Sequence, residues 1–168
     1  AIDVMDTFIV ENEKDARKFI KSICPEKIQA KLKLSSLNKR TEKSEHFAMI
    51  KPCLQGENIG LMSDAGCPGV ADPGAAIVKL AHENGIQVIP LVGPSSILLA
   101  VMASGMNGQS FAFNGYLPID KDEKKAMLKS LEKLSADKNQ SQLFIETPYR
   151  NNKMLEDLLQ ILQPSTHI

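Results

Sequence analysis

The chain lacks any apolar run long enough to cross a membrane as a helix. The longest, Ile97 to Ala103, falls far short of the roughly 20 residues a span requires. No basic segment followed by an apolar core opens it, so neither a leader nor a membrane partner is expected. Cysteine is scarce: Cys24, Cys53 and Cys67 are odd in number, widely spaced and without a CxxC pair, which argues against a disulfide framework and a zinc site. His46, His82 and His167 lie far apart, none with the i, i+4 partner of a helical metal site, and no metal is expected. Charge of one sign is missing too, because 20 basic residues cancel 20 acidic ones. The expectation is a water-soluble protein of the reducing cytoplasm.

The common nucleotide and nucleophile signatures are also absent. No GxxxxGK[ST] loop cradles a triphosphate, no GxGxxG follows a strand, and no GxSxG elbow presents a serine. What is present is an uneven distribution of charge. Residues 1–58 carry 11 basic and 9 acidic side chains, residues 59–118 carry 1 and 3, and residues 119–168 carry 8 and 8. A nearly uncharged middle third must be interior or line a cleft, since solvated faces need polarity.

At 168 residues the chain can bury one core or two small α/β lobes. Thr7 to Glu11 reads as a buried strand, and Asn12 caps a helix through about Ile23 that places Ala16, Phe19, Ile20 and Ile23 on one face. Lys31 to Leu37 and Ile59 to Ser63 read as further strands, with a helix from about Thr41 to Leu54 between them. Asp72-Pro73-Gly74 predicts a helix start with Asp72 as N-cap, and Gly85 stands at its C-cap. Gln87 to Leu91 reads as a strand, and Pro94-Ser95-Ser96 opens an all-round apolar helix to about Ser104, expected to be buried. After a linker at Met106 to Ser110 come a strand at Phe111 to Tyr116, a helix from Lys121 to about Leu134 and a strand at Gln142 to Thr147. The last helix is capped by Thr147, carries Met154, Leu155, Leu158, Leu159 and Leu162 on one side, and stops at Pro164. The division falls near residue 108, giving a first α/β lobe over 1–108 and the start of a second over 109–168.

Two strands thus run into Gly/Pro/Ser loops within Gly60 to Ser96, where open α/β sheets hold their ligands. Glycines without positive side chains nearby suit a neutral or zwitterionic ligand recognised by backbone groups rather than a phosphate. Cys67 beside Pro68 reads as a nucleophile or, more commonly, as a packed loop thiol. Lys27, Lys31, Lys33, Lys39 and Arg40 form either a basic patch or an ordinary solvated surface.

Four segments, SDAGCPGVADPG (Ser63–Gly74), IPLVGPSS (Ile89–Ser96), FNGYLP (Phe113–Pro118) and FIETPYR (Phe144–Arg150), occur in that order. Together they closely resemble the tetrapyrrole methylase superfamily of S-adenosylmethionine-dependent methyltransferases. The most similar branch is the small-subunit ribosomal RNA methyltransferase I group, with its SDAGTPxxSDPG, VPLPGPxA, GFLP and FYExxHR patterns. The resemblance runs from about Phe8 to the chain end. Cys67 stands where the pattern has Thr or, in the porphyrin branch, Asp; Tyr149 replaces the His of ExxHR, and only Asn38 matches that group's HEHNE-like segment.

The resemblance implies a two-lobed α/β fold with a mainly parallel first sheet, a mixed second sheet and S-adenosylmethionine in a cleft between the lobes. On that pattern the chain is incomplete at both ends. Gly66, Cys67, Pro68 and Val70 would line the cofactor, Ser63, Asp64 and Ala65 would shape the strand-end loop, and Pro94, Ser95 and Ser96 would approach from the second loop. Candidates to activate or orient the acceptor are Glu146, Arg150, Asp64 and Lys121. Each also has a plain structural role open to it: a turn cap for Asp64, a solvated side chain for Lys121, an ion pair for Glu146 with Arg150. The implied acceptor is a ribose hydroxyl of ribosomal RNA or the small ribosomal subunit, the implied assembly a homodimer. A tetrapyrrole or other small acceptor, or a non-catalytic module sensing a nucleoside-like metabolite, are the alternatives.

Overall fold

The computed structural model describes residues 2–168, and these divide into two compact units, one ending at Ser95 and one over Ser96–Ile168. The division falls ahead of the apolar helix, not behind it at residue 108.

In the first unit, β1 (Thr7–Val10), β2 (Lys33–Ser36) and β3 (Ile59–Met62) form a parallel sheet in the order β2-β1-β3. Every residue of the central strand β1 is buried, which is why TFIV reads as an unbroken apolar run. Its side chains alternate between two cores. Phe8 and Val10 pack with Ala16, Ile20 and Leu32 on the face covered by α1 (Glu13–Ile23). Ile9 packs with Leu37, Ile50 and Ile77 on the opposite face, beneath α2 (His46–Leu54) and α3 (Ala75–Glu83). Gly60 of β3 lies opposite Phe8, and a Cβ there would stand 2.4 Å from the Phe8 ring, so the fully buried ring fixes the glycine.

Asn12 caps α1, its side chain accepting from the N–H groups of Lys14 and Asp15 at 3.0 and 3.4 Å. Ala16 and Ile20 face the core as expected, whereas Phe19 and Ile23 stay about half exposed. α3 departs from its expected start. Its N-cap is Gly74 at φ 138°, not Asp72, because Ala71 and Gly74 both take positive φ and turn Asp72 off the helix end. Gly85, at φ 67°, follows that helix as predicted. The strand expected at Gln87 to Leu91 does not form. Residues 86–95 take no regular structure; Pro90 and Pro94 remove ladder donors, and Ile89, Leu91 and Val92 are exposed.

The second unit begins with α4 (Ser96–Ser104), none of whose residues is buried. That corrects the expectation of a buried helix: Leu98, Leu99 and Met102 are exposed, and α4 adds no residue to the core of this unit. β4 (Phe111–Tyr116) and β5 (Ser141–Ile145) pair in parallel around α5 (Lys121–Lys138), which runs beyond Leu134 and ends on Asn139 in the left-handed region. Pro148 to Arg150 form a short tight turn after Thr147 before α6 (Asn151–Ile161). Leu117, Leu128, Leu131 and Met154 make this unit's core. Asp157 of α6 is buried with them and is neutralised by Lys124 of α5 at 2.7 Å and Lys153 at 3.1 Å. No helix among the described residues is long and apolar enough to cross a membrane.

Candidate functional site

From β1 the chain leaves to β2 on one side and later returns to β3 on the other, so the strand order reverses between β1 and β3. Helices cannot close over both sides of such a switch point, and a crevice opens outside the carboxyl ends of the strands. Val10, Ser36 and Met62 end the three strands in register. A cleft of about 340 Å³ lies there, walled by Val10 of β1, Leu61 and Met62 of β3, the loop from Ser63 to Gly66 with Pro68, and Asp15, Ala16 and Phe19 of α1.

Its charge is entirely negative. Asp15 and Asp64 line it without any lysine or arginine, and the N–H of Asp64 donates to Glu11, which follows β1, at 3.4 Å. Burial pushes the Asp64 carboxyl above the usual carboxylate value, and the charges of Glu11 and Asp15 add to the rise. Asp72 is raised in the same way by burial and then by Asp64, with the neighbouring Ser63 opposing the rise. The Ser63 hydroxyl donates to the Ala65 carbonyl at 3.2 Å, folding the loop on itself. Like charges gathered in a cleft hold a field that a cation relieves.

Of the residues expected at a cofactor, Ser63, Asp64, Ala65, Gly66 and Pro68 come together here. Cys67 and Val70 belong to the same loop but do not line the cleft; Cys67 is a half-buried free thiol and Val70 is exposed. Pro94 and Ser95 are not among the lining residues, and Ser96 lines instead a cavity of about 1120 Å³ within the second unit. Asp15 and Phe19 were not anticipated. Asp15 in the first turn of α1 reads as an ordinary partner of the helix dipole, and Phe19 as a core residue.

In the second unit, Glu146 and Arg150 stand at the carboxyl end of β5. Glu146 Oε1 accepts from the Thr147 N–H at 2.7 Å, the Thr147 hydroxyl at 3.2 Å and Arg150 Nε at 3.1 Å. Arg150 Nε also donates to the Thr147 hydroxyl at 3.0 Å. These donors, the backbone N–H foremost, hold the Glu146 carboxyl below its usual value. Lys121 is exposed at the first turn of α5, which Asp120 caps. No cluster of three or more metal-ligating side chains occurs among the described residues.

A parallel α/β sheet with a crevice at its switch point defines an α/β protein of the open-sheet class. A solved structure with the same fold is that of the methyltransferase CobJ. It superposes with a TM-score of 0.51 at 17% identity, over 95% of this chain and 77% of the other. The family model for tetrapyrrole (corrin/porphyrin) methylases matches residues 2–168, and the chain belongs to that family. Curated relatives include the ribosomal RNA small subunit methyltransferase I of Vibrio cholerae, 32% identical over 96% of this chain and 54% of the relative. The protein of the same name from Bacillus subtilis is 35% identical over 96% and 53%, and that from Thermotoga maritima 35% identical over 81% and 59%. The chain therefore spans little more than half the length of these relatives.

Proposed function

We propose that this chain holds S-adenosylmethionine in the cleft at the ends of β1 and β3, as part of a methyltransferase acting on a ribose hydroxyl of small-subunit ribosomal RNA. The observation that carries the donor assignment is the composition of that cleft. It combines the strand-end loop at Ser63 to Gly66 with the carboxylates of Asp15 and Asp64 and has no basic side chain, which suits a ligand bearing sulfonium and ammonium charges and disfavours a phosphate. Phe19, Leu61 and Met62 give it the apolar wall a purine ring needs. When bound, the cofactor supplies an electrophilic methyl carbon, so the chain's own work is to orient, to exclude water and to accept a proton.

For the proton, Asp64 is the better candidate. Its carboxyl is raised toward the range in which a base works, while Glu146 is held below its usual value by three donors. Glu146 is then a positioning residue for Arg150, and Lys121 is left free to meet RNA phosphate. The acceptor rests on the names of the relatives, which are ribosomal RNA small subunit methyltransferases. A cytoplasmic, homodimeric enzyme completes the proposal. Incubation with labelled S-adenosylmethionine and undermethylated small ribosomal subunits should label the RNA. Labelling of a tetrapyrrole instead would overturn the acceptor assignment.

A further inference from the structure

We propose that Tyr116 and Tyr149, with Arg150, form a platform at the carboxyl end of the β4–β5 sheet on which an unpaired base of the RNA acceptor stacks. The inference rests on the RNA reading above. The chain has no tryptophan and only these two tyrosines, and both are exposed, at 58% and 83%. They share one edge: Tyr116 ends β4 and pairs with Ile145, the last residue of β5, and Tyr149 sits in the turn that follows. Exposed aromatics gathered at a sheet edge serve no core, and a ring's face is the surface to which a nucleobase stacks whatever its sequence.

Two features show that the edge is constructed. From Phe113 to Tyr116 is three steps on β4, against two from Leu143 to Ile145 on β5, so β4 carries an extra residue there. This bulge uses Gly115 at φ 65°, and the Asn114 amide fills the interrupted ladder by donating to the Leu143 carbonyl at 3.2 Å and the Gln142 side chain at 3.1 Å. A bulge shifts every later side chain by one place, and it therefore sets which way Tyr116 points. The second feature is the guanidinium of Arg150, centred 5.4 Å from the middle of the Tyr149 ring. Glu146 and Thr147 hold its Nε at 3.1 and 3.0 Å, so the cation beside the ring is set before any ligand arrives. Arginine planes and tyrosine rings are what single-stranded RNA readers offer to splayed bases.

The test uses an unpaired RNA oligonucleotide of about ten nucleotides, within the usual site size, and the same backbone made abasic. Since all tyrosine fluorescence of the chain comes from this edge, the normal RNA should quench it and the abasic RNA should not. Tyr149→Ala should weaken binding of the normal RNA about tenfold, Tyr149→Phe should restore it, and neither should change binding of the abasic RNA. Wild-type binding with no quenching, or an equal loss of both RNAs in Tyr149→Ala, would overturn the platform. Failure of the wild type to bind the oligonucleotide also overturns it, and labelling of small ribosomal subunits then decides separately whether the RNA reading survives.

Discussion

Asp64 and Glu146 are two carboxylates with opposite surroundings, and the difference assigns their work. Burial and then the charges of Glu11 and Asp15 resist the ionisation of Asp64, whereas Glu146 is surrounded by donors that favour it. Asp64→Asn should lower methyl transfer about 100-fold while changing donor affinity far less, as expected for loss of a proton acceptor. Separate measurement of single-turnover rate and of cofactor binding checks the split; an equal loss in both would assign Asp64 to binding alone. Glu146→Gln should leave donor affinity unchanged and reduce transfer, because Arg150 loses its anchoring charge. At this scale the sequence was informative about residue types but not about their neighbours. SDAGCPGV announces a ligand loop, yet nothing in it tells that Cys67 and Val70 do not line the cleft while Asp15, from a different element, does.

Elements were legible wherever a local signal and the tertiary demand agreed. TFIV is buried and central, Asn12 caps α1, and Gly85 follows α3, each for the reason its residue type suggests. They were misread where a local signal had a competitor. Asp72-Pro73-Gly74 looks like a helix start, but positive φ at Ala71 and Gly74 moves the cap to Gly74. QVIPL has strand residues, but a ladder needs donors that Pro90 cannot give. The packing of Phe8 over Gly60 is also invisible to local reading, since the two are far apart in sequence. Gly60→Ala should cost roughly 1–3 kcal/mol by overpacking against the buried Phe8 ring. Denaturant unfolding would measure this, and a variant as stable as wild type would show that the ring has room to move.

For the molecule as a whole, net neutrality conceals a division of charge. The nearly uncharged middle third contributes β3 and the loop that wall the cleft, and the charged final third carries the Lys124–Asp157–Lys153 cluster that ties α5 to α6. The two lysines hold the Asp157 carboxyl below its unfolded value. A carboxyl so lowered stabilises the fold above the unfolded value, and that contribution is lost as pH falls through the folded one. The second unit should therefore lose stability at acid pH. Asp157→Asn should flatten that limb and cost about 2 kcal/mol at neutral pH, measured by denaturant melts across pH. The missing charge of the middle third pointed to a cleft, and Leu61 to Gly66 with Pro68 do line one, but Ile89, Leu91, Val92 and α4 of the same third are not buried. The place of the division, ahead of α4, was not legible, because an all-round apolar helix carries no sign of which unit it joins.

The central claim is that the acid-lined cleft between β1, β3 and α1 binds the methyl donor through its positive charge. Calorimetric titration of S-adenosylmethionine into the protein tests it most directly, with Asp15→Asn beside the wild type. One binding site is predicted, with affinity about threefold weaker in Asp15→Asn and weaker for the wild type as pH falls through the raised carboxyl values of Asp64 and Asp72. Binding that is indifferent to Asp15→Asn and to pH, or no binding heat at all, would contradict it.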